Sequence, residues 1–100
     1  MKDIIHNLNK QFESRVRLGI MSVLAANDEM DFNTLKELLD VTDGNLASHL
    51  AALEKSGMVE VRKQFIGRKP NTSYLITTYG RSAFREHLEF LAQLIKQGKN

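Results

Sequence analysis

Apolar positions recur at helical spacing through most of the chain and switch to alternation in its second half. The most informative stretch is Thr42 to Lys55, TDGNLASHLAALEK, where Leu46, Leu50 and Leu53 fall at i, i+4 and i+7 and make one buried stripe. The Thr42 hydroxyl can accept from the N–H of Gly44 or Asn45, first-turn groups with no helical partner, and Ser56-Gly57 supplies a stop. Asp43, Asn45, Ser48 and His49 are left on the outer surface, with small Gly44, Ala47, Ala51 and Ala52 between them. A face of that kind can approach another surface closely.

A second short helix, Asn33 to Leu39, precedes it, capped by Asn33 and with Leu35, Leu38 and Leu39 inward. Only Asp40-Val41 separates it from Thr42, so the pair forms a helix-turn-helix unit whose second helix reads. Upstream, Ser14 to Ala26 predicts a scaffold helix with Val16, Ile20, Val23 and Leu24 inward and Arg15 and Arg17 outward. Gly19 in its middle costs about 1 kcal/mol relative to Ala, which predicts a close helix crossing there. Residues 3–13 place Ile4, Ile5, Leu8 and Phe12 on one stripe and predict a helical arm without a strong cap.

Met30-Asp31-Phe32 alternates and predicts a short third strand, with Phe32 filling core. After Gly57 the pattern predicts a hairpin: Val59, Val61 and Phe65 inward, Glu60, Arg62 and Gln64 outward, and a return strand through Tyr74 and Ile76. Gly67 and Pro70 put the turn between Phe65 and Thr72. Leu75 breaks the alternation and is either a surface leucine or covered by a partner. Thr77 caps a last helix from Thr78 to about Gln97, followed by a fraying Gly98-Lys99-Asn100.

In that helix Phe84, Leu88, Leu91 and Ile95 step by four, three and four, and Phe90 and Leu94 widen the stripe. Packing on the scaffold helix is one use for it. The surplus of apolar surface at both ends predicts instead a homodimer, built from Ile4, Ile5, Leu8 and Phe12 of the arm and Leu88, Leu91, Leu94 and Ile95 of the last helix. The predicted fold class is α+β, mostly α: a winged helix-turn-helix with a small antiparallel hairpin wing and a long C-terminal helix. It forms one domain over 1–100, divided into arm 3–13, core 14–77 and dimerisation helix 78–97.

One hundred residues with 42% apolar content suit a single domain with a modest core. Cysteine is absent, so there is no disulfide frame and no thiolate metal site. No apolar run reaches the length of a membrane span, and MKDIIHNLNK is too polar for a signal peptide, so a cytoplasmic protein with no membrane partner is expected. The net charge of +2 hides a segregation. From Val61 to Arg85 stand Arg62, Lys63, Arg68, Lys69, Arg81 and Arg85 with no acid, whereas Lys36 alone opposes six acids between Asn27 and Asp43.

These groups have chemistry suited to nucleic acid. Asn45 can pair with adenine through two hydrogen bonds, and Ser48 and His49 can meet base edges or phosphates. Asp43 either accepts from cytosine N4 or favours its helix N-terminus electrostatically. Arg68 and Lys69 suit phosphates or a narrow minor groove, and Arg62 and Lys63 extend the track, one of them as a strand-surface residue. Lys36 either touches a phosphate or pairs with Asp40 one turn on. Catalysis has no comparable support: His6, His49 and His87 are far apart, none is bracketed by a serine or carboxylate constellation, and no glycine-rich phosphate loop exists. Glu86, His87 and Glu89 point in different directions on a helix and read as a solvated face. No metal, cofactor or enzymatic activity is expected.

Between Ser14 and Leu91 the sequence resembles the winged-helix transcriptional regulators of the MarR and ArsR types, in particular small one-domain members. The resemblance lies in TDGNL at the start of the reading helix, SHLAALEKSGMVE at its exit, the wing GRKP and the closing T-x-x-G of Thr77 to Gly80. It implies a dimeric regulator of double-stranded DNA, with Asp43, Gly44, Asn45, Ser48 and His49 in the major groove and Arg68 and Lys69 on the backbone or minor groove. The cysteine pairs of metal-sensing ArsR-type proteins are missing, so metal sensing is not implied. Thr78 and Tyr79 stand where acids often begin the last helix. The alternative is a winged-helix protein-interaction module whose basic wing meets an acidic partner. A small-molecule effector could sit at the dimer seam, although packing alone explains leucines and phenylalanines there, and no ligand is named.

Overall fold

A computed structural model describes residues 2–98. The expected fraying at Lys99 and Asn100 lies outside the described residues, and Gly98 still closes the last helix. The order of elements is α1 (Lys2–Asn7), a 3₁₀ turn (Lys10–Phe12), α2 (Arg15–Ala26), β1 (Met30–Asp31), α3 (Phe32–Leu39), α4 (Asp43–Lys55), β2 (Val59–Ile66), β3 (Lys69–Ile76) and α5 (Thr78–Gly98). The strands form one antiparallel sheet in the order β1-β3-β2. This is the mostly helical winged helix-turn-helix that the pattern predicts, with a hairpin wing and a long last helix.

The scaffold helix α2 sits at the centre and packs on α3, α4, β3 and α5. Its cap is Ser14, whose Oγ accepts from the Arg17 N–H at 3.3 Å. Ile20, Met21 and Leu24 are fully buried with Leu35 of α3 and Leu46, Leu50 and Leu53 of α4. Each such side chain contributes about 1.5–3 kcal/mol through area removed from water. A Cβ on Gly19 would lie 2.8 Å from Leu39 Cδ2, so α2 and α3 do cross closely at the glycine.

The cap of α3 is Asp31 rather than Asn33. Asp31 Oδ1 accepts from the Thr34 N–H at 2.7 Å, and the helix starts at Phe32. A carboxylate at a helix N-terminus is the stronger acceptor, and hydrogen bonds from Thr34 hold the Asp31 acid below the ordinary aspartate range. Leu35 and Leu39, one turn apart, face inward, and Leu38, expected there too, lies about 100° round the helix from Leu39 on the exposed side. Met30 and Asp31 pair with Tyr74 and Ser73 as the third strand, while Phe32 enters the helix and packs its ring 6.5 Å from Tyr74.

The wing turn is tighter than expected. Ile66 pairs with Lys69, which leaves only Gly67 and Arg68 in the turn, and Gly67 takes φ +65° as the first central residue of such a turn requires. Pro70 therefore lies within β3, opposite Phe65. Hydrogen-bonded and non-hydrogen-bonded pairs alternate from the closing pair, so the nitrogen of Pro70 faces away from β2 and no ladder bond is lost. Phe65, expected to face the core, is 73% exposed because the hairpin outruns the helices beneath it. Val59 is buried and Val61 half-buried; beyond Val61 the same face carries Lys63 and Phe65 into solvent.

The arm is not one helix. Asn9 accepts from the Gln11 N–H through Oδ1 at 2.9 Å and starts a separate 3₁₀ turn, the side-chain competition with the backbone for which asparagine is suited. This break turns Phe12 into the core, edge-on to Phe84 at 5.6 Å and to His87 at 5.1 Å. His87 is accordingly 5% exposed rather than part of a solvated face, and its Nδ1 accepts from the Asn9 N–H at 3.1 Å. Two residues expected at a dimer interface are spent inside their own chain, Ile4 at 8% and Phe12 at 1% exposure. The molecule is elongated, 58 × 25 × 21 Å, with a radius of gyration of 15.2 Å against about 13 Å for an ordinary domain of this length.

Candidate nucleic-acid interface

The turn between α3 and α4 is set by Asp40, which takes the left-handed conformation at φ 51°, ψ 57° and donates its N–H to Lys36 O at 2.9 Å. Aspartate tolerates that conformation better than most residues. Thr42 then accepts from the Asn45 N–H at 3.2 Å, the cap that the sequence predicts. From this start Leu46, Leu50 and Leu53 face the core while Asp43, Gly44, Asn45, Ala47 and Ser48 are exposed. Gly44 has no atom within 4 Å of where a Cβ would stand, so its small size opens outer surface and relieves no internal crowding.

Two charged residues at this face are already paired. Lys36 Nζ lies 2.8 Å from Asp43 Oδ1, linking α3 to the first turn of α4. The pairing expected with Asp40 gives way because Asp40 has left helical geometry, and the first residue of α4 comes within reach instead. His49 is half-buried. Its Nδ1 accepts from Arg17 Nε at 3.0 Å, and Arg17 Nη1 donates to Gln11 Oε1 at 2.6 Å. Arg17, expected to point freely outward, is folded back onto α4. Its position two residues after Arg15 gave only a surface arginine; no helical spacing links it to His49.

The wing is a separate patch. Arg68 and Lys69 stand exposed at its tip, and Lys63 lies exposed on the face of Phe65. Arg62, on the opposite face, approaches Glu29 at 3.4 Å, and the same carboxylate accepts from Ser73 Oγ at 2.5 Å. Of the two strand cations, Arg62 is thus the one engaged with the protein's own surface. Phe65 and Ile66 are 73% and 63% exposed beside these cations, a feature missed because alternation cannot reveal where a hairpin runs past its core. Among the described residues no group of three or more His, Asp and Glu side chains could hold a metal ion, and no helix is long and apolar enough to cross a membrane.

A short-turn helix pair with an outward polar second helix, followed by a tight basic hairpin, is the arrangement of a known DNA-binding fold. The family model for the winged helix DNA-binding domain matches residues 16–95. The chain belongs to this family. An uncharacterized protein of Methanocaldococcus jannaschii is 42% identical over 87 residues, covering 87% of this chain and 95% of that one. A transcriptional regulator homologue from Pyrococcus horikoshii is 32% identical and superposes with a TM-score of 0.87, over 99% of this chain and 96% of that one. YusO of Bacillus subtilis, only 14% identical, shares the fold at a TM-score of 0.82 over 98% of this chain and 69% of its own. In this winged helix α3 and α4 are the helix-turn-helix and β2 and β3 the wing. Such winged-helix regulators are generally non-enzymatic.

Proposed function

We propose that this winged helix acts in the cytoplasm as a homodimeric transcriptional regulator, with α4 in the major groove of duplex DNA and the β2–β3 wing on the flanking backbone or minor groove. The observation that carries the reading is the division of α4: its three leucines are fully used by the core, while Asp43, Gly44, Asn45 and Ser48 are exposed and serve no packing. Asn45 offers the donor and acceptor that adenine requires. Lys63, Arg68 and Lys69 provide phosphate contacts without sequence information. Two copies joined through α1 and α5 would carry two reading helices to major grooves about one helical turn, roughly 34 Å, apart. Ile5, Leu88 and Ile95, with half-buried Leu8, Leu91 and Leu94, are the apolar residues that remain for such a seam.

The test is selection of bound duplexes from a random pool, repeated across a salt series with Asn45→Ala and Arg68→Ala. Asn45→Ala should relax preference at one or two base pairs by about 1–3 kcal/mol. Arg68→Ala should weaken all sequences alike and flatten the slope of log K against log salt by about 0.9 per lost phosphate contact in each copy. Equal relaxation of preference by both changes would sink this division of labour. A second reading, a protein-interaction module, draws on the exposed Phe65 and Ile66 at the wing tip. Under that reading no duplex is preferred, and an acidic protein partner is lost with Phe65→Ser.

A further inference from the structure

A line of hydrogen bonds crosses the molecule from α5 to the reading helix. The Asn9 N–H donates to His87 Nδ1 at 3.1 Å, and the Gln11 N–H donates to Asn9 Oδ1 at 2.9 Å. Arg17 Nη1 donates to Gln11 Oε1 at 2.6 Å, and Arg17 Nε donates to His49 Nδ1 at 3.0 Å. The last link fixes chemistry as well as position. A guanidinium has donors only, so His49 Nδ1 must present its lone pair, and the ring proton of the neutral imidazole then sits on Nε2.

We propose that Arg17 is a positioning residue for sequence reading: it holds His49 as an Nε2–H donor and so restricts that site to an acceptor on the DNA. Purine N7, guanine O6, thymine O4 and phosphate oxygens satisfy a donor; the amino groups of adenine N6 and cytosine N4 do not. The inference rests on α4 being the reading helix. Arginine suits the task better than lysine, because its planar fork holds His49 and Gln11 in fixed relative directions through two of its nitrogens. Gln11 is in turn placed by the Asn9 cap, and the Asn9 backbone is tied to buried His87. Without Arg17 the imidazole is free to rotate and to exchange tautomers, and a bare Nε2 can accept from an amino group.

The experiment measures the His49 ring nitrogens by long-range proton–nitrogen correlation in the full chain, alongside duplex selection at fixed salt. Arg17→Met retains the apolar stem and removes the donors. The wild type should give the Nε2–H tautomer alone, and Arg17→Met a mixture, with preference at one base pair of each half-site relaxed roughly five- to tenfold. His49→Lys supplies a head group that only donates, and should keep the preference for an acceptor without help from Arg17. Adding Arg17→Met to it should change nothing further. A mixed tautomer in the wild type, or an unaltered preference in Arg17→Met, overturns the proposal while leaving α4 as the reader. A further loss in the double variant also overturns it, since Arg17 would then act other than through position 49. Absence of any sequence preference in the wild type removes the reading role of α4 and this proposal together.

Discussion

A Cβ added to Gly80 would fall inside the contact distance of the Met58 carbonyl oxygen and 2.9 Å from its carbon. The first turn of α5 thus lies directly on the backbone that links α4 to the wing. The same carbonyl accepts from the Thr77 N–H at 3.1 Å, and Thr77 Oγ1 accepts from the Gly80 N–H at 2.8 Å and donates to Gly57 O at 2.7 Å. The closing T-x-x-G motif is a clamp between the C-terminal helix and the exit of α4. Backbone cannot move aside as a side-chain end can, so Gly80→Ala should lower stability by about 2 kcal/mol or more, seen as a lower denaturant midpoint. Gly44→Ala, with open space around it, should leave that midpoint unchanged or raised while weakening duplex binding through the added methyl. An unfolding free energy for Gly80→Ala within about 0.5 kcal/mol of wild type, on the usual scale of surface changes, would contradict the clamp.

The Lys36–Asp43 pair sets a second expectation. An exposed pair of this kind adds little stability, about 0–1 kcal/mol. Its consequence is electrostatic: under the proposed function, Asp43 neutralises a lysine of α3 that would otherwise be free to meet phosphates. Asp43→Asn should leave thermal stability nearly unchanged and strengthen binding to every duplex several-fold at low salt, with a salt slope steeper by about one counterion per copy. Titrations of a specific and a random duplex at two or more salt concentrations would reveal it. A loss of binding confined to one base pair would instead mean that Asp43 accepts from cytosine.

The helix-turn-helix and wing are legible in the sequence because local rules specify them. Thr42, Gly57 and the leucines of α4 each act within a turn or two of their own position, and Gly67 fixes the hairpin wherever it stands. What the sequence conceals depends on distant partners. His87 reads as polar surface until Asn9 and Phe12 are brought to it from the other end of the chain, 78 residues away in the case of Asn9. Arg17 and His49 are 32 residues apart and obey no spacing. Ile4 and Phe12 match a dimer stripe by periodicity, yet the break at Asn9 turns Phe12 inward. The exposure of Phe65 likewise follows from the length of the wing relative to its core, which alternation does not encode. The candidate site divides in the same way: the exposure of Asn45, Arg68 and Lys69 is readable one residue at a time, whereas the engagement of Arg62, Lys36 and His49 by neighbours is tertiary.

Burial lowers the pKa of His87, and the bond from the Asn9 N–H requires the unprotonated Nδ1. The unfolded chain binds a proton near the ordinary histidine value of about 6.5, whereas the folded chain resists it. The stabilising term is therefore complete above that value and diminishes as pH falls from about 6.5 to the lowered folded pKa, below which it no longer changes. Thermal unfolding between pH 7.5 and 5 should show a declining midpoint. His87→Asn keeps an acceptor near the place of Nδ1 and cannot titrate, so its midpoint should be lower throughout but fall less steeply with acid. Parallel curves for the two proteins would mean that another group governs the acid limb.

The apolar residues left uncovered on α5 argue for the seam. Leu88 and Ile95, one heptad apart, are 47% and 73% exposed, and Ile5 of α1 is 53% exposed. Leu91 and Leu94 are only half-covered by their own chain. Because Leu88 and Ile95 are exposed in a single chain, glutamates there disturb a partner's packing without entering the core. Leu88→Glu with Ile95→Glu should give a monomeric mass by light scattering and keep the far-ultraviolet helical signal. Leu38→Glu, at an equally exposed leucine of α3, should remain dimeric. Losing the partner converts two linked half-site contacts into independent ones, so affinity for a two-site duplex should fall about 10²–10⁴-fold, while binding to an isolated half-site changes little. A double variant that keeps the dimeric mass at micromolar concentration would place the seam elsewhere, and the exposed stripe of α5 would then need a different occupant.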